Sequence, residues 1–420
     1  MGLFKKDKPA ITKIEVSDKN VKVRAVLVIL LLAIGLGLLS YGIYALVTKE
    51  PGWYTIELTE GYTNLNDELI FNYRIGDGEM SAADEHKAVS SLYATEVSRI
   101  YRLLDIYQSY EDVVNLYTLN QYPGETFEVD PVLYEAFSLM EETGSRILYM
   151  APVFSLYRNL FSSQTDAEAA LNDPRTDEEA REYLGQVMTY AADSTMIRVE
   201  LFENHRVSLY ISDAYRAFLR EHEITDYIDF GWLTHALMVD HVADVMISRG
   251  FTAGNITSYD GYTRNFDLSG EYYGFNIFDC KGTNVYPAAV AQYRGRISMV
   301  FLRDYPLSMQ DMTVYYAYAD GRYVHRYASP ATGVYESSLR NLVSYSYDTG
   351  CTEVAIRMSD VFISETFDQG KVEEMSMDRI YTIWCLDETV CYNDEALILR
   401  DFYQDDTRSY EGYYSPHGKQ

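Results

Sequence analysis

The run Ile228-Asp229-Phe230-Gly231-Trp232-Leu233-Thr234-His235-Ala236-Leu237-Met238-Val239-Asp240-His241 gathers carboxylates, a turn glycine, a hydroxyl and two of the seven histidines in one short span. It reads as a strand-like start, a Gly turn and a helix that closes near Gly250. A turn into a helix N-terminus presents free backbone N–H groups and the positive end of the helix dipole, which suits a phosphate or another anion. His235 precedes Met238, Val239, Val242 and Met246 at i+3, i+4, i+7 and i+11, so it points along the apolar face, as a packed core histidine or as a pocket residue. Asp240 and Asp244 share the opposite face and are expected to be solvated. No GxSxG elbow, Walker A loop or HExxH helix occurs. The CxxC spacings of zinc sites are absent too.

The elements that must position these residues begin with an apolar segment. Ala25 to Val47 holds 23 residues without a charge, about the length that crosses a hydrocarbon layer as a helix. Residues 1–24 carry seven basic and three acidic residues, a net of +4, while only Lys49 lies between the segment and Arg74 on the other side. The positive-inside rule then predicts a single-pass cell-membrane protein, its N-terminus cytoplasmic and its large domain extracytoplasmic. A cleaved signal peptide would have a shorter apolar core and an A-x-A-like site, which the chain lacks. The formal net charge of −28 repels polyanions and sets nucleic acid aside as a partner.

Beyond the membrane segment a spacer is expected over 48–66, then a strand from Glu68 to Ile75 and a helix opened by Ser81-x-x-Asp84, with Val89, Tyr93, Val97, Ile100 and Leu104 on one stripe. Asp130-Pro131 announces another helix and Thr176-x-x-Glu179 a third. Ile197 to Ile211 reads as a hairpin about Glu203-Asn204. From Tyr272 onward strands dominate, and the 40 tyrosines suit half-exposed sheet faces, or a stacking surface for carbohydrate. Cys385 and Cys391 flank a short loop between strand-like runs, so a disulfide across a hairpin is expected, with four buried thiols as the alternative. Residues 401–420 are expected to trail at the surface.

In this order along the chain the motifs resemble those of the ApbE-type FAD:protein FMN transferases, extracytoplasmic Mg²⁺-dependent enzymes that attach FMN to Thr or Ser of target proteins. Asp229, Gly231 and Asp240 match the family's D-x-G-G-x-A-K-G-x-x-x-D, while Trp232 replaces the second Gly, Thr234 the Ala, and His235-Ala236 the Lys-Gly. Asn255 to Asp260 stands where the family has N-hydrophobic-G-G-D, without the Gly pair that lets backbone approach the nucleotide. Ser109-Tyr110 through Asn120 resembles S-x-Y…L-x-x-L-N, and Asp130 to Thr143 the helix that follows it. Ser329-Pro330-Ala331-Thr332-Gly333 resembles D-P-x-T-G, and Ser359 to Ser364 resembles A-D-A-L-S-T, whose Asp and Thr bind metal in the family.

The resemblance implies an α+β class: one large ApbE-like exported domain over 67–400 behind one N-terminal transmembrane helix. It assigns His235 and Asp229 to catalysis, and Gly231, Thr234, Asp240, Asp260, Thr332 and Gly333 to FAD. Asp360, Ser364 and Thr234 would hold Mg²⁺, and a flavoprotein acceptor would be the partner. With His235 in place of Lys, the position is expected to be largely neutral near pH 7 and less able to offset pyrophosphate charge. Two functions follow, a diverged flavin transferase or a non-catalytic membrane-tethered binding or scaffold module on the same fold.

Overall fold

The computed structural model describes residues 21–47, 49–59 and 61–415, without the side chains of residues 21, 24 and 41–47. Residues 1–20 of the expected basic tail and the last five residues lie outside the described residues. A helix occupies Val21–Val47. The part of its apolar run with described side chains, Ala25 to Ser40, is shorter than the about 20 residues that a span needs. Among the described residues no helix is long and apolar enough to cross a membrane.

A nine-stranded sheet forms the centre, in the order Gly52–Ile56, Leu69–Ile75, Gly254–Ser258, Tyr262–Asn265, Ile297–Arg303, Asn341–Ser346, Ile380–Leu386, Thr389–Tyr392 and Glu411–Tyr414. Neighbours are antiparallel except the last pair, which is parallel. The helices Ala82–Leu104, Thr234–Ser248 and Cys351–Phe362 pack on one face, where Val300, Leu302 and Leu342 join their core. A long hairpin, Tyr272–Lys281 with Asn284–Arg294, covers the other face against Met299, Phe301 and Val343. With both faces covered, Ile297–Arg303 and Asn341–Ser346 are buried at every residue, so these strands read as continuous runs and not as alternation.

Local signals place the elements well. Ser81 caps its helix by accepting the Asp84 N–H, and Val89, Tyr93, Val97, Ile100 and Leu104 are buried. Asp130 caps the helix Pro131–Glu142. The helix expected from Thr176 starts at Glu178, because Asp177 is the residue whose side chain accepts the Ala180 N–H. Ile197–Phe202 and Arg206–Ile211 pair as the hairpin, turned by Asn204 and His205 at φ 59° and 53°.

Three expectations are corrected. Gly52–Ile56, inside the supposed spacer, is the outer strand of the main sheet. Within the supposed tail, Glu411–Tyr414 is its opposite edge, and Tyr410 is buried with its hydroxyl donating to Asp279 at 2.9 Å. Tyrosine takes both places: Tyr54, Tyr273, Tyr286, Tyr293, Tyr381 and Tyr392 are half-buried on strands as expected, while Tyr93, Tyr157, Tyr215, Tyr262, Tyr305, Tyr315, Tyr327 and Tyr345 are among the largest fully buried side chains. Cys385 and Cys391 do not bridge, and all four cysteines are free thiols. Trp384 lies opposite Cys391 and Cys385 opposite Val390, so the two thiols point to opposite faces of the sheet.

Candidate functional site: an aromatic cavity beside a closed charge cluster

On the helix Ala151–Phe161, Phe154, Tyr157, Arg158 and Phe161 fall at i, i+3, i+4 and i+7 and so share one face. That face forms one wall of a cavity of about 270 Å³. The end of the helix Ala82–Leu104 and the loop after it add Tyr101 and Leu104 to Tyr107, while the turn from Asp229 adds Gly231, Trp232 and Thr234. Asp105, Ile106, Met238, Thr313, Val314 and Arg326 complete the lining. The cavity therefore offers ring surface on several sides, with two carboxylates and two guanidiniums among the rings; Asp105 accepts the Tyr107 N–H at 2.7 Å and the Tyr110 hydroxyl at 2.6 Å.

The turn residues are engaged internally. Asp229 accepts the Gly231 N–H at 2.7 Å with one oxygen and Arg158 at 2.9 Å with the other. Each oxygen carries one internal hydrogen bond, which fixes the carboxylate within the turn. Gly231 has φ 56°, and a Cβ there would lie 2.3 Å from the Phe154 ring. The absent side chain thus admits a neighbouring phenyl ring, where a nucleotide phosphate was expected. The Thr234 hydroxyl donates to the Gly231 carbonyl at 2.8 Å.

Behind Thr234, His235 touches Asp260 through Nδ1 at 2.9 Å and Glu68 through Nε2 at 3.3 Å. Asp260, 2% exposed, also accepts from Arg326 at 2.8 Å. Burial by itself would lower the pKa of His235, but Asp260 and then Glu68 outweigh it and raise it to about 9. Burial likewise opposes ionisation of Asp260, yet His235 and Arg326 hold its carboxyl well below the usual range. His235 is therefore a cation at neutral pH, contrary to the sequence expectation. Its charge is answered within the protein: two cations face two carboxylates, and the cluster offers a pyrophosphate little net attraction.

Asp240 is neither solvated nor at the cavity. One of its oxygens accepts the Cys351 N–H at 2.8 Å and Arg264 at 3.0 Å, and the other accepts the N–H and hydroxyl of Thr352 at 2.8 and 2.7 Å. It caps the helix Cys351–Phe362 from a neighbouring helix, and a Cβ at Gly350 would lie 2.8 Å from its oxygen. Asp244 remains exposed and pairs with Arg264. Thr332 is exposed, its hydroxyl accepting the Val334 N–H in the turn. The carbonyl of Gly333 accepts the Tyr157 hydroxyl at 3.0 Å, which supports the cavity wall from behind.

The proposed metal set is not assembled. Asp360 sits near the far end of its helix and lines a separate hollow with Arg146, Pro330 and Arg357; burial raises its pKa. The Ser364 hydroxyl donates to Val361 at 2.9 Å and to Thr366 at 3.0 Å. Thr234 faces the aromatic cavity instead. Among the described residues no group of three His, Cys, Asp or Glu side chains is placed to hold a metal ion.

The residues that sequence reasoning missed are the aromatic walls, Arg158, Arg326 and Glu68. The i, i+3, i+4, i+7 stripe of Phe154 to Phe161 was a legible signal for one wall. Nothing local announces that Arg326 and Glu68 meet His235.

No protein-family model matches the chain, and no curated protein matches it. Among solved structures, the ApbE protein of Thermotoga maritima is similar at 13% identity and a TM-score of 0.54, covering 83% of this chain and 97% of that one. The flavin transferase ApbE of Vibrio cholerae matches at 13% identity and a TM-score of 0.48, covering 83% and 97%. The apo flavinyl transferase ApbE of Pseudomonas stutzeri matches at 12% identity and a TM-score of 0.46, covering 86% and 95%. The first of these, with the mixed α+β architecture described above, identifies a divergent ApbE-like fold.

Proposed function

We propose that the chain is a membrane-anchored extracytoplasmic binding protein that takes a flat aromatic ligand of flavin type into the cavity, without metal-dependent FMN transfer. The observation that carries this reading is the cavity lining itself: Tyr101, Tyr107, Phe154, Tyr157, Phe161 and Trp232 surround about 270 Å³. Aromatic faces stack on flat ring systems. The similarity in fold to ApbE proteins supports flavin as the ring.

Transfer is the less favoured reading because the residues do not fit Mg²⁺. Asp360 and Ser364 are apart from Thr234, and Asp240 caps a helix. No step is therefore derived through a metal, and a flavoprotein acceptor belongs to the transfer reading alone. Anchoring rests on the uncharged run Ala25 to Val47, its basic N-terminal flank and a helix over Val21–Val47 that leaves Val26 to Leu39 exposed.

Fluorescence titration of the purified chain with riboflavin, FMN and FAD, each with and without Mg²⁺, tests this. The expectation is that all three bind with similar affinity, that Mg²⁺ changes nothing, and that Tyr107→Ala weakens each while Asp360→Ala weakens none. Binding of FAD alone, strengthened by Mg²⁺ and lost in Asp360→Ala, would restore the transferase. No binding in any arm would leave a scaffold without a flavin ligand.

A further inference from the structure

We propose that the corner of the domain built around Trp53 rests on the lipid headgroups of the membrane that anchors the chain. This inference depends on the anchoring reading above and goes beyond it, since an anchor alone does not say which face meets the bilayer.

Only Thr48 to Pro51 separate the helix Val21–Val47 from the outer sheet strand Gly52–Ile56. Four residues span at most about 14 Å when extended, so Trp53 cannot move far from the bilayer however the domain tilts. Trp53 is 40% exposed and lies opposite Arg74, whose guanidinium sits 5.9 Å from its ring. Tyr273 meets Trp53 edge-on at 6.3 Å. Next to it Tyr272 is 56% exposed, with Arg294 5.4 Å from its ring. Lys49 precedes the strand, and among the described residues neither Lys49 nor Arg294 forms an ion pair.

The chemistry of this corner is that of an interface and not of bulk water. Trp and Tyr place an apolar body and a polar tip at the headgroup level, and Lys and Arg meet lipid phosphate there. Arg74 is paired with Asp77 and Glu271, each at 2.5 Å, so the cations left for phosphate at this corner are Lys49 and Arg294, which stand apart from the strongly acidic rest of the domain. A saccharide could also stack on such rings, but the tether length favours lipid.

The experiment uses the full chain in phosphatidylcholine vesicles whose acyl chains are brominated close to the headgroup. Trp232 and Trp384 are each 3% exposed, and the apolar helix contains no Trp, so Trp53 dominates collisional quenching. The expected result is quenching by the brominated lipid and protection from aqueous iodide, with the lipid quenching lost in Trp53→Phe and vesicle flotation unchanged. A chain that floats while Trp53 is quenched by iodide and untouched by bromolipid would overturn the contact alone. Failure to float would overturn anchoring and the contact together. Protection from iodide by added oligosaccharide, without quenching by lipid, would replace the membrane by a glycan and overturn the proposal.

Discussion

The aromatic cavity and the His235 cluster share Arg326, yet they are built on opposite principles. In the cavity, rings line an open space and the one carboxylate of the Gly turn is held by a backbone N–H and Arg158. In the cluster, four charged groups face one another, with His235 and Arg326 both on one oxygen of Asp260 and Glu68 on the other side of the His235 ring. Charge in this site is therefore structural and ring surface is what a ligand can use. A transferase needs the reverse, with charge reserved for the nucleotide phosphates and a metal.

The largest break of this contrast is Asp260→Asn, which leaves His235 and Arg326 facing each other across a buried site. Removing one partner of a buried ion pair costs about 3–5 kcal/mol, so the urea midpoint should fall steeply. A loss near zero would mean that the cluster is open to water and free to serve a ligand.

A pH series sharpens the same point. The folded pKa of His235 is raised to about 9, above its ordinary unfolded value of about 6.5, so its stabilising contribution is complete below about 6.5 and lost as pH rises through about 9. Asp260 runs the other way: its depressed pKa stabilises above the ordinary carboxylate range and is lost in acid. Linkage puts the alkaline loss at up to about 3 kcal/mol. Stability between pH 7 and 10 should decline in the unaltered chain and be much flatter in His235→Gln.

On the cavity side, Gly231→Ala forces a methyl group into the Phe154 ring at a positive φ. Overpacking with the left-handed backbone penalty should cost about 2–4 kcal/mol, partly recovered when Phe154→Leu is added. An unchanged midpoint would show that the ring yields easily and that the glycine could admit a ligand after all. The smallest effect expected is for Asp240→Ala, which removes a cap worth about 1–2 kcal/mol and should speed amide exchange at Cys351 and Thr352 without altering flavin binding.

Much of the fold was legible because its signals are local. A Ser cap with an acid three residues on, a Pro in the first turn and a polar hairpin loop about Glu203-Asn204 each act on their neighbours; the helices start where expected, and the loop closes over three residues by taking in His205. The site was harder. Asp229, Gly231 and Thr234 line one cavity because they are adjacent in sequence. Asp240, on the same helix, turns to another neighbour, and the Asp360 and Ser364 motif lies elsewhere. The disulfide failed because spacing says nothing about which sheet face a side chain takes until register is known.

Sequence alone was sufficient for the uncharged run Ala25 to Val47, the helix and strand periods, the turn at Gly231 and the acidic surface, since each follows from composition or from contacts a few residues apart. The partners of His235, the capping role of Asp240 and the union of Tyr101, Phe154 and Trp232 around one cavity were decided only by tertiary structure. Those groups come from elements tens to hundreds of residues apart, and the fields and distances that set their chemistry exist only once the sheet and its helices have packed.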